Sequence, residues 1–302
     1  MRIFLPGLDQ RSLWRNFQTL LTGTVFAQGI GIVASPLLSR LYHPEDFAIL
    51  AIFSSFLGVG GILAPFRFDQ IMALPTSESE ARSVVGVALC FTIGFSGLLL
   101  IVVLIIVILS SYGDKPSSIY LWAAPVGLLA IGISQTLQGW LLRQSDYRSL
   151  SRLRLRQSIS GIAASLALGF GKAGPWGLIL GQVVQMASGV VGHARSFIKV
   201  RAPGTLAFGG PTILIRVAAS YWRMAACITG AGLLNAIASA LPSILLLIIY
   251  GSTVAGSFAF AYRIISVPMA LLGAAASQLF MGEAARLLRE SGADVGQLFN
   301  DF

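Results

Sequence analysis

The sequence has few charged residues and almost no histidine or cysteine. Asp, Glu, Lys and Arg make up 11% of its 302 residues, whereas hydrophobic residues make up 55%. Soluble domains typically carry about 25% charged residues. The two cysteines, Cys90 and Cys227, lie in apolar runs without a CxxC pattern, which is typical of packing residues. These shortages argue against a water-soluble fold, a zinc site and a disulfide framework.

Catalytic and metal-binding patterns are equally scarce. The two histidines, His43 and His193, are predicted at opposite membrane faces, and no Ser/His/Asp set is formed. "GFGKAG" at 169–174 matches the GxGxxG pattern of dinucleotide-binding proteins. However, no strand precedes it, and no acidic residue follows about 20 positions later. We interpret it as a tight turn between two helices. The sequence predicts no enzyme activity, no cofactor and no metal ion.

One polar stretch, "SRLYHPEDFAIL" at 39–50, invites a metal-site interpretation because His43, Glu45 and Asp46 lie close together. The alternative is a turn between two helices. Pro44 suits the first turn of a helix, and the helix dipole favours acidic residues there. We therefore predict the outside turn of a helical hairpin.

Long hydrophobic runs are what the sequence has in abundance. A membrane-spanning helix needs about 20 mostly apolar residues, and backbone groups in lipid must be hydrogen-bonded within the chain. Eight candidate spans satisfy this condition: 17–38, 47–66, 84–110, 119–142, 155–171, 175–192, 224–249 and 253–281. "GLILG" at 177–181 places two glycines where helices can pack closely.

The predicted fold is therefore an all-α membrane protein with about eight transmembrane helices. The breaker residues between the sixth and seventh spans divide it into three parts. These are a six-helix N-terminal bundle (1–200), a cytoplasmic linker with a surface helix (201–223), and two helices of a second bundle with a cytoplasmic tail (224–302).

The basic residues indicate an orientation with the N-terminus in the cytoplasm. Of the 21 Lys and Arg residues, the predicted outside turns hold Arg40, Lys115 and Lys172, and the eighth span holds Arg263. All the others fall in segments assigned to the inside, as the positive-inside rule requires. This distribution also accounts for the net charge of +9, so no nucleic-acid partner is expected.

Three charged residues near the membrane interior are candidate substrate-binding residues. Arg263 follows about ten residues of the eighth span, or about 15 Å of helix, and arginine at such depth usually faces a cavity. Arg67 and Asp69 follow the second span. They are two positions apart, which points them to different helix faces and argues against a direct pair. The apolar "IMAL" after them suggests that the second helix continues.

Five segments in order resemble one known family. They begin at residues 39, 67, 139, 174 and 233 and read "SRLYHPEDFAILAIF", "RFDQIMALP", "GWLLRQSDYRSLSRLRLRQS", "GPWGLILGQVVQ" and "LLNAIASALPSILLLIIYGSTVAGSFAFAYRIISVPMALLGAAASQLFMGEAAR". The chain resembles bacterial polysaccharide flippases over residues 12–290. These are the Wzx-type, O-antigen group of the multidrug/oligosaccharidyl-lipid/polysaccharide exporter superfamily.

The resemblance implies two bundles of six helices around a central, often cationic cavity. It implies a transporter, not an enzyme, which flips undecaprenyl-diphosphate-linked oligosaccharide across the bacterial inner membrane for lipopolysaccharide biosynthesis. By motif position, Arg67 and Asp69 match a family element at the end of helix two, and Arg263 matches one in helix eight. Arg40 is expected at the outer cavity mouth. Implied partners are membrane lipids and the polysaccharide polymerase or assembly proteins.

The chain also departs from the family pattern, and two other functions stay open. The family typically has about twelve spans, and "GQLFNDF" at 296–302 stands where a loop should lead to a ninth. A C-terminal truncation is therefore expected. One alternative is a cation-coupled drug exporter of the same superfamily. The other is a non-transporting truncated membrane protein.

Overall fold

The computed structural model describes residues 10–110, 122–199, 210–262 and 265, and within these ranges every regular element is a helix. The helices are α1 (Gln10–Leu41), α2 (Pro44–Leu63), α3 (Phe68–Ile71), α4 (Glu78–Ser110), α5 (Ala123–Arg143), α6 (Tyr147–Phe170), α7 (Pro175–Lys199), α8 (Pro211–Tyr250) and α9 (residues 252–262). The predicted all-α class is confirmed.

Five of the described helices, α1, α2, α4, α5 and α8, contain a segment long and apolar enough to cross a membrane. The apolar part of α7 is shorter, residues 175–191. α6 is more polar because its N-terminal half carries four arginines: Arg148, Arg152, Arg154 and Arg156. A multi-pass membrane protein is thus confirmed. The count of eight spans stays a prediction, since the eighth predicted span continues beyond residue 262, outside the described residues.

The polar stretch at 39–50 forms a tight turn between α1 and α2, as predicted. α1 ends at Leu41 and α2 begins at Pro44. The backbone N–H of His43 donates to Oδ2 of Asp46 over 3.0 Å. Asp46 therefore satisfies a donor at the helix start, which is its role in the turn. We call this end of the bundle, which also holds the α6–α7 and α8–α9 turns, the Tyr42 end.

The expectation that the second helix continues past Arg67 is wrong. α2 ends at Leu63, and the backbone enters the left-handed region at Phe66 (φ 47°) and Arg67 (φ 55°). Pro65 contributes to the break because it has no N–H to continue the helical ladder. The chain restarts as the four-residue α3, which is buried against α4, α5 and α8. We call this end of the bundle the Arg67 end.

The remaining turns follow from local sequence. At the α5–α6 turn, Asp146 accepts a hydrogen bond from the backbone N–H of Ser149 over 3.0 Å, which caps α6. At the α6–α7 turn, Lys172 and Gly174 have positive φ values of 54° and 57°. "GFGKAG" is therefore a turn between two helices, as predicted.

Glycines let α6 and α7 pack closely. A β-carbon on Gly161 would lie 2.7 Å from Cβ of Gln185, and one on Gly181 would lie 2.0 Å from Oγ of Ser165. The predicted use of "GLILG" for packing within the chain is confirmed. α1 packs on the other side of α6, where the hydroxyl of Ser158 donates to the carbonyl oxygen of Ala27.

α8 runs without interruption from Pro211 to Tyr250. Its 40 residues correspond to about 60 Å of helix, so the predicted surface helix and the predicted seventh span form one element. Its N-terminal part packs on α3 and α4 through Val217 and Ala225. The predicted break after Tyr250 is confirmed, since Gly251 has a φ of 84° and α9 begins at residue 252.

Candidate functional site

A cavity of about 460 Å³ lies between helices of the first bundle and helices α8 and α9. Such a volume falls in the usual range of ligand sites, about 300–1,000 Å³. On one side it is lined mainly by α2, α6 and α7, and on the other by α8 and α9. The cavity is therefore shared between the two predicted bundles, nearer to the Tyr42 end than to the Arg67 end.

Each lining helix contributes residues at helical spacing. On α2 these are Ala51, Ser54, Ser55 and Gly58; on α7, Leu178, Gly181, Gln182 and Gln185; on α8, Ala236, Ser239, Ala240 and Ser243. Positions three or four apart lie on one helix face. One small or polar face of each helix therefore points to the cavity, while large apolar residues such as Phe56 and Leu241 are exposed outside its lining.

The polar groups of the lining are hydroxyls and amides. They belong to Ser54, Ser55, Ser165, Gln182, Gln185, Ser239, Ser243 and Tyr262, and none of the described lining residues is charged. The hydroxyl of Ser54 donates to Oε1 of Gln182 over 2.7 Å, which joins α2 to α7. The described lining can therefore form hydrogen bonds with an uncharged polar ligand without burying an ion.

A second, smaller cavity of about 80 Å³ adjoins the first between α1, α6 and α9. The two share lining residues, among them Leu38, Phe47 and Gln185. Gln28 and Ser35 of α1 add polar groups here. The polar interior thus extends toward α1.

Arg67 lies at the end of the bundle away from most of the cavity, not in its lining. Its Nε is buried and has no hydrogen-bond partner among the described residues. The guanidinium packs against α8, since a β-carbon on Gly232 would lie 3.1 Å from Nη2 and 3.2 Å from Nε. Left-handed backbone at a non-glycine residue stores strain and is enriched at functional sites. Arg67 thus links the strained turn to the second bundle.

Asp69 is buried in α3, and its Oδ1 has no hydrogen-bond partner among the described residues. Burial raises the pKa of its carboxyl above the ordinary value, although the positive charge of Arg67 opposes this effect. Within the described part of the chain no ion pair joins the two side chains, as predicted. α5 passes so close that a β-carbon on Gly139 would lie 2.2 Å from the Asp69 carbonyl oxygen.

The structure does not bring the predicted site residues together. Arg40 is exposed in the last turn of α1, at the Tyr42 end, whereas Arg67 follows α2 at the other end. The 20 residues of α2 separate them by about 30 Å. The headgroup of a single ligand therefore cannot contact Arg40 and Arg67 at the same time. Arg263 lies outside the described residues.

Sequence reasoning overlooked the hydroxyl and amide residues that line the cavity. A signal was present, because Ser54 and Gly58, Gly161 and Ser165, and Ser239 and Ser243 are each spaced by four residues within apolar helices. Polar residues in membrane helices usually face the bundle interior. Attention to charged residues alone missed this pattern.

These features define a class: a multi-pass helical membrane protein with a polar cavity between its helices. Residues 37–299 match the family described as "Polysaccharide biosynthesis protein". The chain belongs to this polysaccharide biosynthesis protein family, which confirms the broader part of the predicted resemblance. No curated protein and no solved structure gives a significant match.

Proposed function

We propose that this protein flips an undecaprenyl-diphosphate-linked oligosaccharide across the bacterial inner membrane during cell-surface polysaccharide biosynthesis, such as that of O-antigen and lipopolysaccharide. The observation that carries the proposal is the polar cavity between α2, α6 and α7 on one side and α8 and α9 on the other. Membership of a polysaccharide biosynthesis family supports it.

The physical requirement is to shield a hydrophilic glycan while it crosses a hydrocarbon layer about 30 Å thick. Polar groups cost free energy in that layer unless hydrogen-bonded. The hydroxyl and amide lining offers such bonds, and the lipid tail remains in the bilayer. Relative movement of the two predicted bundles exposes the cavity first to one membrane face and then to the other. The positive-inside pattern supports an orientation with the N-terminus in the cytoplasm.

The predicted basic residues have separate roles in this mechanism. Arg67 contacts the diphosphate at the Arg67 end, because its buried Nε lacks a partner among the described residues. Arginine is well suited to phosphate oxygens. Arg40 stands at the other mouth, and Arg263 takes part in the same pathway. When ionised, the Asp69 carboxylate attracts the Arg67 guanidinium through space, although the two form no ion pair within the described residues.

One observation favours a second candidate, a cation-coupled drug exporter. Asp69 is a buried carboxyl whose Oδ1 has no partner among the described residues. A carboxyl of that kind can bind and release a proton or a sodium ion during transport. This function predicts efflux of organic cations driven by an ion gradient, with complete loss in Asp69→Asn.

The test uses vesicles containing the purified protein and a fluorescent lipid-diphosphate oligosaccharide. A membrane-impermeant reductant quenches only the probe in the outer leaflet. A flippase makes the inner-leaflet probe accessible as well, so quenching should exceed that of protein-free vesicles. Equal quenching with and without protein, together with gradient-driven efflux of an organic cation, would favour the exporter instead.

A matched pair of substitutions to phenylalanine provides a control. Ala51 lines the cavity, whereas Ile93 of α4 is exposed and lines neither of the two cavities. Ala51→Phe should obstruct the cavity and abolish flipping, and Ile93→Phe should leave the rate unchanged. Equal rates in the two variants would contradict transport through this cavity.

A further inference from the structure

The hydroxyl of Ser165 belongs to the cavity lining, and no described residue forms a hydrogen bond with it. Ser165 is 8% exposed and lines the cavity. Its carbonyl oxygen accepts a hydrogen bond from Tyr42, but its Oγ has no partner among the described residues. Gly181 passes directly over it, where any β-carbon would lie 2.0 Å from Oγ. Its Oγ is not among the fully buried unpaired atoms of the described residues, so the hydroxyl is accessible from the cavity and available to a ligand there.

Gln182 supplies a second group next to Ser165. Its Oε1 is held by the hydroxyl of Ser54 at 2.7 Å, which fixes the plane of the amide. Its Nε2 makes no hydrogen bond with any described residue and lies in the lining. A donor fixed in advance loses little conformational entropy when it binds. Ser54, Ser165 and Gln182 therefore form a preorganised wall made by α2, α6 and α7.

The opposite wall belongs to α8. Ser243 lines the cavity, and its hydroxyl has no partner in the part of the chain that the structure describes. Ser239, one turn earlier, is bonded to the carbonyl of Asn235 in its own helix. This wall thus offers further hydrogen-bonding groups from the second bundle.

We propose that Ser54, Ser165, Gln182 and Ser243 bind the hydroxyl groups of an uncharged sugar unit in the transported glycan. The inference rests on the proposed function and names the substrate class of its cavity. Hydroxyls and amides pair well with sugar hydroxyls, whereas a sugar carboxylate would be buried among lining groups that carry no charge in the described residues. We therefore expect these four side chains to bind a neutral sugar unit more tightly than an acidic one.

The test measures binding of two fluorescent probes to the full chain in detergent. Both carry the same lipid diphosphate; one bears a neutral hexose tetrasaccharide, and the other has a hexuronic acid as its terminal sugar. The wild type should bind the neutral probe about tenfold more tightly, a difference of about 1.4 kcal/mol. Ser165→Ala and Gln182→Leu should each weaken binding of the neutral probe several-fold, since each removes one hydrogen bond.

Two further variants test whether the sugar preference depends on charge and on residues of the cavity. Gln182→Lys should reverse the preference, because it places a positive charge where the acidic sugar lies. Ser257→Ala is the matched control: Ser257 is exposed on α9, and its hydroxyl bonds only to Thr253 in its own helix. Its affinity for both probes should equal that of the wild type. Thermal unfolding of every variant shows whether a loss of binding reflects a loss of folding.

Failure of this inference and failure of the proposed function give different results. Equal wild-type affinity for the two probes, or unchanged affinity in folded Ser165→Ala and Gln182→Leu, overturns the sugar site even if vesicles show flipping. Selective binding that depends on these residues, without flipping in vesicles, supports the site and contradicts the flippase.

Discussion

The guanidinium of Arg67 lies against the bare backbone of Gly232, across the boundary between α3 and α8. A β-carbon at position 232 would stand 3.1 Å from Nη2 of Arg67. Glycine at this position therefore lets the charged side chain of Arg67 approach the backbone of α8. The contact lies at the Arg67 end, on the far side of the cavity from the Tyr42 end.

The first prediction concerns this contact. Gly232→Leu should displace Arg67 and lower the free energy of unfolding by about 1–3 kcal/mol, as overpacking typically does. Thermal unfolding in detergent measures the effect. Gly230→Leu is the control, since a β-carbon there would meet nothing within 4 Å.

A double variant separates overpacking from a general effect of leucine on α8. In an Arg67→Ala background, Gly232→Leu should lower the free energy of unfolding much less than in the wild type, because the side chain that it displaces has been removed. If Gly232→Leu lowers the free energy of unfolding equally with and without the Arg67 side chain, the contact between Arg67 and Gly232 is contradicted.

The second prediction is a pH dependence caused by Asp69. Burial raises the pKa of its carboxyl above the ordinary value of 3.8. The folded state then holds a proton at pH values where the unfolded state has lost it. The free energy of unfolding therefore falls as pH rises from about 3.8 through the folded-state pKa, and it levels off above that pKa.

Asp69→Asn removes this dependence. The variant should gain stability relative to the wild type as pH rises through the same window, which unfolding midpoints across a pH series would reveal. If the unfolding midpoints of the two proteins change in parallel with pH, the Asp69 carboxyl titrates alike in the folded and unfolded states and is not buried as described.

The third prediction concerns Arg143, which ties α5 to the segment after α3. Its Nη1 donates to the carbonyl oxygens of Met72 and Pro75 over 2.9 and 2.7 Å. Hydrogen bonds from charged groups contribute about 1.5–3 kcal/mol, so Arg143→Gln should lower the unfolding midpoint clearly. Arg82→Gln is the comparison; its i,i+4 pair with the exposed Glu78 contributes about 0.3–0.5 kcal/mol. Similar decreases in the unfolding midpoint for Arg143→Gln and Arg82→Gln would argue against the two hydrogen bonds of Arg143.

The fourth prediction concerns Tyr42, whose hydroxyl donates to the carbonyl oxygen of Ser165 over 2.6 Å. Tyr42→Phe keeps the ring against Phe47 but removes this bond, so it should cost about 0.5–1.5 kcal/mol. Tyr250→Phe, at an exposed ring, should cost nothing measurable. If Tyr42→Phe unfolds at the wild-type midpoint, the hydrogen bond does not stabilise the fold.

Local sequence predicted those features that depend on neighbouring residues. Pro44 and Asp46 mark the start of α2, and Lys172 and Gly174 mark the α6–α7 turn, because turn chemistry acts over three or four residues. Long apolar runs predicted membrane helices, because lipid leaves the backbone few alternatives. The run after Arg67 misled this reasoning. Besides Pro65, the break involves packing of Phe66 against α4 and α8 and of Arg67 against α8, which no local pattern specifies.

The candidate site could be predicted only in part. Charged residues such as Arg67 and Asp69 stand out in an apolar sequence, so they were identified easily. Ser165 and Gln182 do not stand out, because serine and glutamine are common in helices of every kind. Their importance comes from five helices that converge on one cavity, which no local pattern specifies.

The sequence by itself determined the helical class, the membrane environment and the main turns of this protein, because these follow from hydropathy and from short-range backbone chemistry. Only the tertiary structure decided that Arg40 and Arg67 lie at opposite ends of the bundle and that hydroxyl and amide groups line the cavity between them. The physical reason is that a cavity is formed by residues far apart in the chain, and their meeting depends on how whole helices pack.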